Sequence, residues 1–564
     1  MKTTFQYDHY YTYEEMTSSL QQLASSYPHL LKLSSICETN EGKHVWAVEL
    51  TNLASGDFST KPAYYVDGNH HAGEVTGSMA AMHLIDYLVT NFGVLDDITT
   101  LLSYFTVYVI PKISPDGSDV YLTSAHKLRS VNRPYPHEQQ EDGLHPSDLD
   151  GDGVIRMMRV LTPYGDWKIS DQDSRVMVKR QPDELEGMFY QIYPEGEIVG
   201  YDGGWVKLAT NKWGLDFNRN YPFGWFPEAR QPGSGKYPLS NPEVKAVADF
   251  IIEHPNIGSA ATLHTSGGMI IYPPGVHPEK EAHPFDMMLY KTIGKMGTEE
   301  TDYPCYNIFD AFLTDTVNYS SGAFDDWAYF TQGILTYTVE LWDLKKQAGI
   351  PHVWPRIDQK DDEVALEEYL KQLAWIDQHV PLEAGGFKPW TPVVHPQLGE
   401  VEVGGWDFKF TIQNCPPSFL KTELENNTRF MIRYAKTLPR LTIEKAVAQR
   451  VDEHLYQVEC VVVNQGYLPT YICEQAKTVK MTHPILVTCE GAQEYLVYPC
   501  TQELSNLEGI SGIKTTYGYD GISTQNHNAL AQKVTWLVKV KPGTKLNLTV
   551  SHIKAGSDQV VITV

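Results

Sequence analysis

His71 and Glu74 stand three residues apart in GNHHAGE, directly after the apolar run PAYYVD (62–67). At the start of a helix, that spacing lets an imidazole and a carboxylate point at one cation. Two ligands do not make a catalytic metal site. A third is needed, with one position left open to water. His264 is the candidate, because it ends the strand-like ATLH (261–264) just before Gly267 and Gly268. Two imidazoles and one carboxylate suit hydrolytic zinc. An H-x-x-E pair alone is weak in a chain with 20 histidines, and adjacent His70 reads as a structural or supporting residue. Glu340 is a lone acid in the apolar strand of TVELWD (338–343), a costly buried charge unless it has a function.

A second constellation lies in DLDGDGVI, where Asp148, Asp150 and Asp152 alternate ahead of Gly153. Alternate carboxylates and a glycine at the sharp turn match the first half of an EF-hand-type calcium loop. The twelfth position, counted from Asp148, is Arg159, so the bidentate acid of such a loop is missing. Another acid would have to complete a calcium site; the alternative is an Asp/Gly turn without metal.

The elements around these residues read as α/β. Thr12 and Glu15 form a capping box ahead of Met16, Leu20 and Leu23, and that helix ends near Tyr27-Pro28. Strands are expected at 44–50, 62–67 and 105–110, with a helix from about Glu74. Ser240 reads as the cap of a helix that has Pro242 in its first turn. ATLH and LTYTVEL (335–341) are again strand-like, so a mixed, mostly parallel sheet flanked by helices is expected. A polar stretch at about 134–212 reads as an insertion outside the core. A helix over 363–379 closes this first domain, taken as 1–385. A connector with a helix around 418–436 fills 386–437. From 438 to 564 short alternating runs such as LYQVECVVVN and KVTWLVKV predict an all-β sandwich.

GNHHAGE is followed in order by SPDG (114–117), KLRSVNR (127–133), GLDFNRN (214–220), LHTSGGMIIYPPG (263–275), SGAFDDWAY (321–329) and TVELWD. The set closely resembles the zinc carboxypeptidase family typified by pancreatic carboxypeptidases A and B, over roughly residues 5–380 without the insertion. The resemblance implies that His71, Glu74 and His264 hold zinc, which acidifies a water and polarises the scissile carbonyl. It implies Glu340 as the base that passes a proton to the leaving amine. Arg129 would steady the oxyanion. Asn218 and Arg219 would clamp the substrate's terminal carboxylate, a task suited to the planar guanidinium fork. Tyr319 is the expected active-site tyrosine, although the count back from Gly322 lands on Asn318. Asp325, two places before Trp327, would sit at the base of the specificity pocket and favour Lys or Arg ends. Gly73 departs from relatives that carry a substrate-contacting arginine there.

The net charge of −25 argues against nucleic acid, which rewards a basic face, and no apolar window is long enough to span a membrane. The first residues show no apolar signal region, so a cytoplasmic protein is expected, or an extracellular one if a leader was removed. Seven cysteines without a CxxC pair read as reduced thiols, with a bridge between 460 and 500 the alternative. The leading expectation is a metallocarboxypeptidase acting on peptides. A murein-peptide hydrolase or amidase on the same scaffold is the second reading and a non-catalytic peptide-binding protein the third. The sequence leaves oligomeric state open.

Overall fold

The computed structural model describes residues 5–351 apart from 314, 316 and 318, and residues 362–518, 521–525 and 527–564. Eight strands form the central sheet: β1 (Leu31–Glu38), β2 (His44–Leu50), β3 (Ala63–Gly68), β4 (Thr106–Ile110), β5 (Ile257–Thr265), β6 (Met269–Tyr272), β7 (Cys305–Asn307) and β8 (Leu335–Leu341). Their order is β1-β2-β4-β3-β5-β8-β6-β7. The inner four, β4-β3-β5-β8, are parallel, while β1, β2 and β6 join antiparallel to a neighbour. Every residue of β3 and β5 is buried, as expected for parallel strands covered on both faces.

Alternation along β3 divides the core. Tyr64 and Val66 face one apolar cluster, and Ala63 and Tyr65 the other. Helices α1 (Tyr13–Ser26), α2 (Val75–Asn91), α3 (Asp96–Tyr104) and α6 (Pro284–Thr301) cover the first face; α5 (Pro242–Glu253) and α7 (Phe324–Gln332) cover the second; α4 (Pro115–Thr123) follows β4. The capping box of α1 is present, and Met16, Leu20 and Leu23 are its buried stripe. Burying a leucine of that kind contributes about 1.5–3 kcal/mol. The expected cap of α5 is corrected: Asn241, not Ser240, occupies the N-cap, and the Ser240 hydroxyl instead accepts from Asn220.

Two stretches do more than the sequence suggested. The insertion is not merely a loop. Its strands 157–161, 190–194, 167–169 and 177–179 form an antiparallel sheet, completed by the hairpin 388–395/399–405 from the expected connector. Met158, Val401 and Val403 give that sheet its own small core. Short strands diluted among Asp, Glu and Gly hid the alternation. The connector's helix, α9 (Pro417–Ala435), follows α8 (Asp362–His379) and lies in the main core through Leu420, Leu424, Phe430 and Tyr434. The Tyr434 hydroxyl donates to the Leu335 carbonyl at 2.7 Å, which ties α9 to the start of β8.

Residues 441–563 carry two antiparallel four-stranded sheets packed around Val458, Val487, Trp536 and Leu548. The strand Leu455–Asn464 alternates buried and part-exposed residues along its whole length, the signature of a sandwich strand. All seven cysteines are free thiols. The sandwich docks through Asp286 of α6, whose buried carboxylate accepts the Glu474 and Gln475 amides and the Tyr329 hydroxyl. Among the described residues no helix is long and apolar enough to cross a membrane.

Candidate active site

The site lies at the carboxyl ends of β3, β5 and β8, where parallel sheets present ligands. Beyond Gly68 the chain turns at Asn69, which has φ +65° and anchors the bend by donating its side-chain amide to the His71 and Ala72 carbonyls. Asparagine tolerates that left-handed conformation better than most residues. Close packing of α2 on the sheet fixes the height of the turn: a Cβ on Gly77 would lie 2.6 Å from the Leu263 carbonyl. Glu74 is the N-cap residue of α2.

His71, Glu74 and His264 converge, all buried, with their ligand atoms within 4.8 Å of one another. The two Nδ1 atoms are 3.1 Å apart, and Glu74 offers one oxygen to each at 2.8 Å. Two imidazole nitrogens facing each other across that distance are the spacing two ligands of one zinc ion adopt at about 2.0–2.1 Å each. Burial lowers the His264 imidazole, with Glu74 opposing, and so favours the neutral ring a metal requires. Burial would raise the Glu74 carboxyl, but His71 and His264 hold it well below the usual carboxylate range. The donor set fits zinc.

The surrounding shell orients these ligands. His71 Nε2 lies 3.0 Å from Asp216, whose other oxygen accepts from Arg129 Nε at 2.7 Å. Against its burial, Arg129 and His71 keep Asp216 ionised. A carboxylate on the far nitrogen of a ligating imidazole fixes its tautomer and orientation. Asp216 was not singled out in the sequence, although it stands two places before Asn218 in GLDFNRN. His70 is no ligand: fully buried, it stacks on His264 and bonds Tyr221 at 2.9 Å.

Glu340 pairs in register with His264 across β5 and β8. Burial and the Glu74 carboxylate push its carboxyl up, while Arg129 and Arg219 draw it back. Trp342, with φ +65°, turns the chain sharply after it; its amide is held by Tyr303 and Glu423, its indole by the Thr411 carbonyl. Asn218 accepts the Phe324 amide at the start of α7 with its side-chain oxygen, so its NH2 is the group left to donate. Arg219 donates to the Asn218 carbonyl, and its charge acts on Asp216, Asp326 and Glu340.

Asp325 is buried and accepts the Thr338 hydroxyl at 2.7 Å. Thr338 and Glu340 are two apart on β8, so they share a face of the sheet, and Asp325 lies on that face. Asp326 beside it accepts the Gly275 amide; burial and Asp325 push its carboxyl well up. Tyr319 is not among these groups. Its ring lies against Phe226, Phe309 and Arg230. Asn318 lies outside the described residues.

The Asp-rich loop is also rearranged from its expected form. Asp148 and Asp150 converge with Glu195, which is fully buried and accepts the Leu149 and Arg156 amides. Burial, with the two aspartates, pushes the Glu195 carboxyl up to about 7. Asp152 is not in the group: Arg156 pairs with it, and the Lys388 amine bridges Asp152 and Asp150.

Residues 16–364 match the family model described as zinc carboxypeptidase. The chain belongs to the zinc carboxypeptidase family. Residues 440–563 match a domain of unknown function. Carboxypeptidase B of Astacus astacus is similar, 23% identical over 342 residues, which are 59% of this chain and 86% of that protein. Carboxypeptidase D of Mus musculus is 28% identical over 109 residues, 19% of this chain; the chain spans only 8% of that longer relative. Among solved structures, carboxypeptidase A from Helicoverpa armigera matches with a TM-score of 0.40 at 18% identity, covering 67% of this chain and 74% of that one.

Proposed function

We propose that this chain is a zinc-dependent carboxypeptidase that removes C-terminal residues from peptides and prefers Lys or Arg ends. The observation that carries the reading is the grouping of His71, Glu74 and His264 with Glu340, paired in register to His264, and with Arg129, Asn218 and Arg219 around them. Zinc bound there would acidify a water and polarise the scissile carbonyl. Glu340 takes the proton of the attacking water and returns it to the departing amine. Arg129 steadies the developing oxyanion, and Asp216 holds it in place from behind. The Asn218 NH2 and the Arg219 fork hold the terminal carboxylate, so the bond cleaved is the last in the chain.

The basic-end preference rests on Asp325. A buried carboxylate on the same sheet face as Glu340 pairs with an incoming cation and is left unpaired by Leu or Phe. Peptides identical except for C-terminal Lys, Arg, Leu or Phe, each with a free or amidated end, test both parts. Amidation is expected to reduce kcat/KM by about 10²-fold or more through lost positioning. Lys and Arg ends are expected to lead by at least about tenfold, and Asp325→Ala to remove that lead. Equal cleavage of amidated and free peptides contradicts the exopeptidase reading; a lead for Leu or Phe contradicts the pocket.

A second ion is part of the proposal. Asp148, Asp150 and Glu195 form an all-oxygen group suited to calcium; Asp150 Oδ1 is shielded from solvent without a hydrogen-bond partner among the described residues, while Asp150 Oδ2 holds the Lys388 amine at 2.6 Å.

A further inference from the structure

Position 73 has no side chain, and one there would have to displace its neighbours. A Cβ there would lie 2.7 Å from the Tyr121 ring and 2.8 Å from the Gln413 amide. The segment that blocks it, 408–414, is locked onto the metal loop. Asn414 donates to the Gly73 carbonyl at 2.7 Å and accepts the Thr76 amide at 3.0 Å. Gly73 itself therefore offers no side chain to a substrate.

A cleft of about 240 Å³ opens on the other side of Tyr121. Three segments meet in it: the end of α4 with Ala125 and Lys127, the insertion loop Gly153–Ile155, and Asp407–Phe410. Lys127 lies two residues before Arg129, and the Arg129 carbonyl accepts the Ala72 amide, so the cleft adjoins the metal loop by way of the backbone. The charged groups in the cleft divide by what they already hold. Lys409 is buried, and its amine donates to the Tyr121 and Ser124 carbonyls. Asp407 is buried and accepts the Lys409 amide. Lys127 is solvent-exposed at the cleft's mouth; its amine sits 4.2 Å over the ring of Phe408, itself 38% exposed.

Two lysines against one aspartate leave the cleft net positive, in a protein whose overall charge is −25. The Lys127 ammonium rests on the Phe408 ring with the buried Asp407 carboxylate as a nearby opposite charge, and of the two lysines it is the one exposed to solvent and so to an incoming anion. Phe408, Phe410, Val154 and Ile155 supply apolar walls beside it. The volume suits one residue of a peptide.

We infer that this cleft is an acyl-side subsite that selects an acidic residue upstream of the scissile bond, with Lys127 binding its carboxylate. The inference rests on the carboxypeptidase reading and adds a substrate class to it: peptides with a carboxylate in the chain as well as a cleavable end. The insertion loop and the 407–410 segment thereby act in substrate selection, a role no part of the metal centre supplies.

The test is a set of peptides with one common C-terminal Lys, in which a single Asp or its neutral isostere Asn is walked through the four positions upstream of the scissile bond. The readout is the Asp:Asn ratio of kcat/KM at each position, which cancels any general change in activity. At one position wild type is expected to favour Asp by about tenfold, a typical yield of one charge-assisted contact. Lys127→Met should bring that ratio to about one, Lys127→Arg should keep it, and Lys127→Glu should invert it. A ratio near one at every position in wild type, or one that Lys127→Met leaves in place, overturns the inference. Cleavage of the Asn peptides reports the underlying reading separately. If none is cleaved by wild type, that reading fails and the subsite falls with it.

Discussion

His71, Glu74 and His264 converge from the ends of adjacent parallel strands, whereas Asp148, Asp150 and Glu195 converge from an irregular loop and a junction in a small antiparallel sheet. The first group is wholly buried and mixes two imidazoles with a carboxylate; the second is part-exposed and all oxygen. The difference separates two ways of building a cation site. Strand ends are fixed by the whole sheet, so ligands nearly two hundred residues apart meet with little freedom to adjust, and nitrogen donors select a borderline metal such as zinc. A loop site is fixed locally, keeps contact with water and suits a hard cation with flexible coordination. The first can support catalysis. The second, were it to hold calcium, would stiffen the insertion.

Three variants sharpen the contrast, in falling order of effect. His264→Ala should reduce bound zinc from about one ion per chain to almost none and abolish hydrolysis, read by metal analysis and peptide assay together. Its melting response to calcium should be that of wild type. Asp216→Asn keeps all three ligands but removes the carboxylate behind His71; zinc affinity should fall by about 10–100-fold, measured by competition with a chromophoric chelator. Glu195→Gln should leave zinc and hydrolysis in place and abolish a calcium-induced rise in melting temperature of about 2–4 °C. If calcium raises the wild-type melting temperature by nothing, or Glu195→Gln responds like wild type, the loop is a metal-free turn and the comparison loses its second member.

The same contrast explains what could be read from the sequence. The metal triad was suggested by residue type and spacing, but it was the ordered set of motifs, through its resemblance to a known family, that singled out Glu340, Arg129, Asn218 and Arg219. The fully buried strands β3 and β5, and β8, buried except at Glu340, were visible as apolar runs. Asp216 was legible in principle, since it shares GLDFNRN with Asn218 and Arg219, but nothing in that spacing marks which acid faces an imidazole. Glu195 was not legible: 45 residues of chain separate it from Asp150, and only the register of the small sheet brings them together. Asp152 illustrates the converse, a residue with perfect loop spacing whose carboxylate is taken by Arg156, four residues on, and shares with Asp150 the Lys388 amine of a distant hairpin. The hairpin 388–405 and helix α9 read as a connector because their partners lie far away in the chain. Tyr319 was placed by counting within a loop, and its ring packs on Phe226, Phe309 and Arg230.

The central claim is that Glu340 is the proton carrier of a zinc-dependent exopeptidase and not a ligand or a structural acid. The most direct measurement pairs zinc content with single-turnover release of a C-terminal Lys from a free-ended peptide, for wild type and Glu340→Gln. The account predicts about one zinc per chain in both, chelator-sensitive release by wild type, and a loss of about 10²–10⁴-fold in the variant. Near-normal release by a zinc-loaded Glu340→Gln would contradict it.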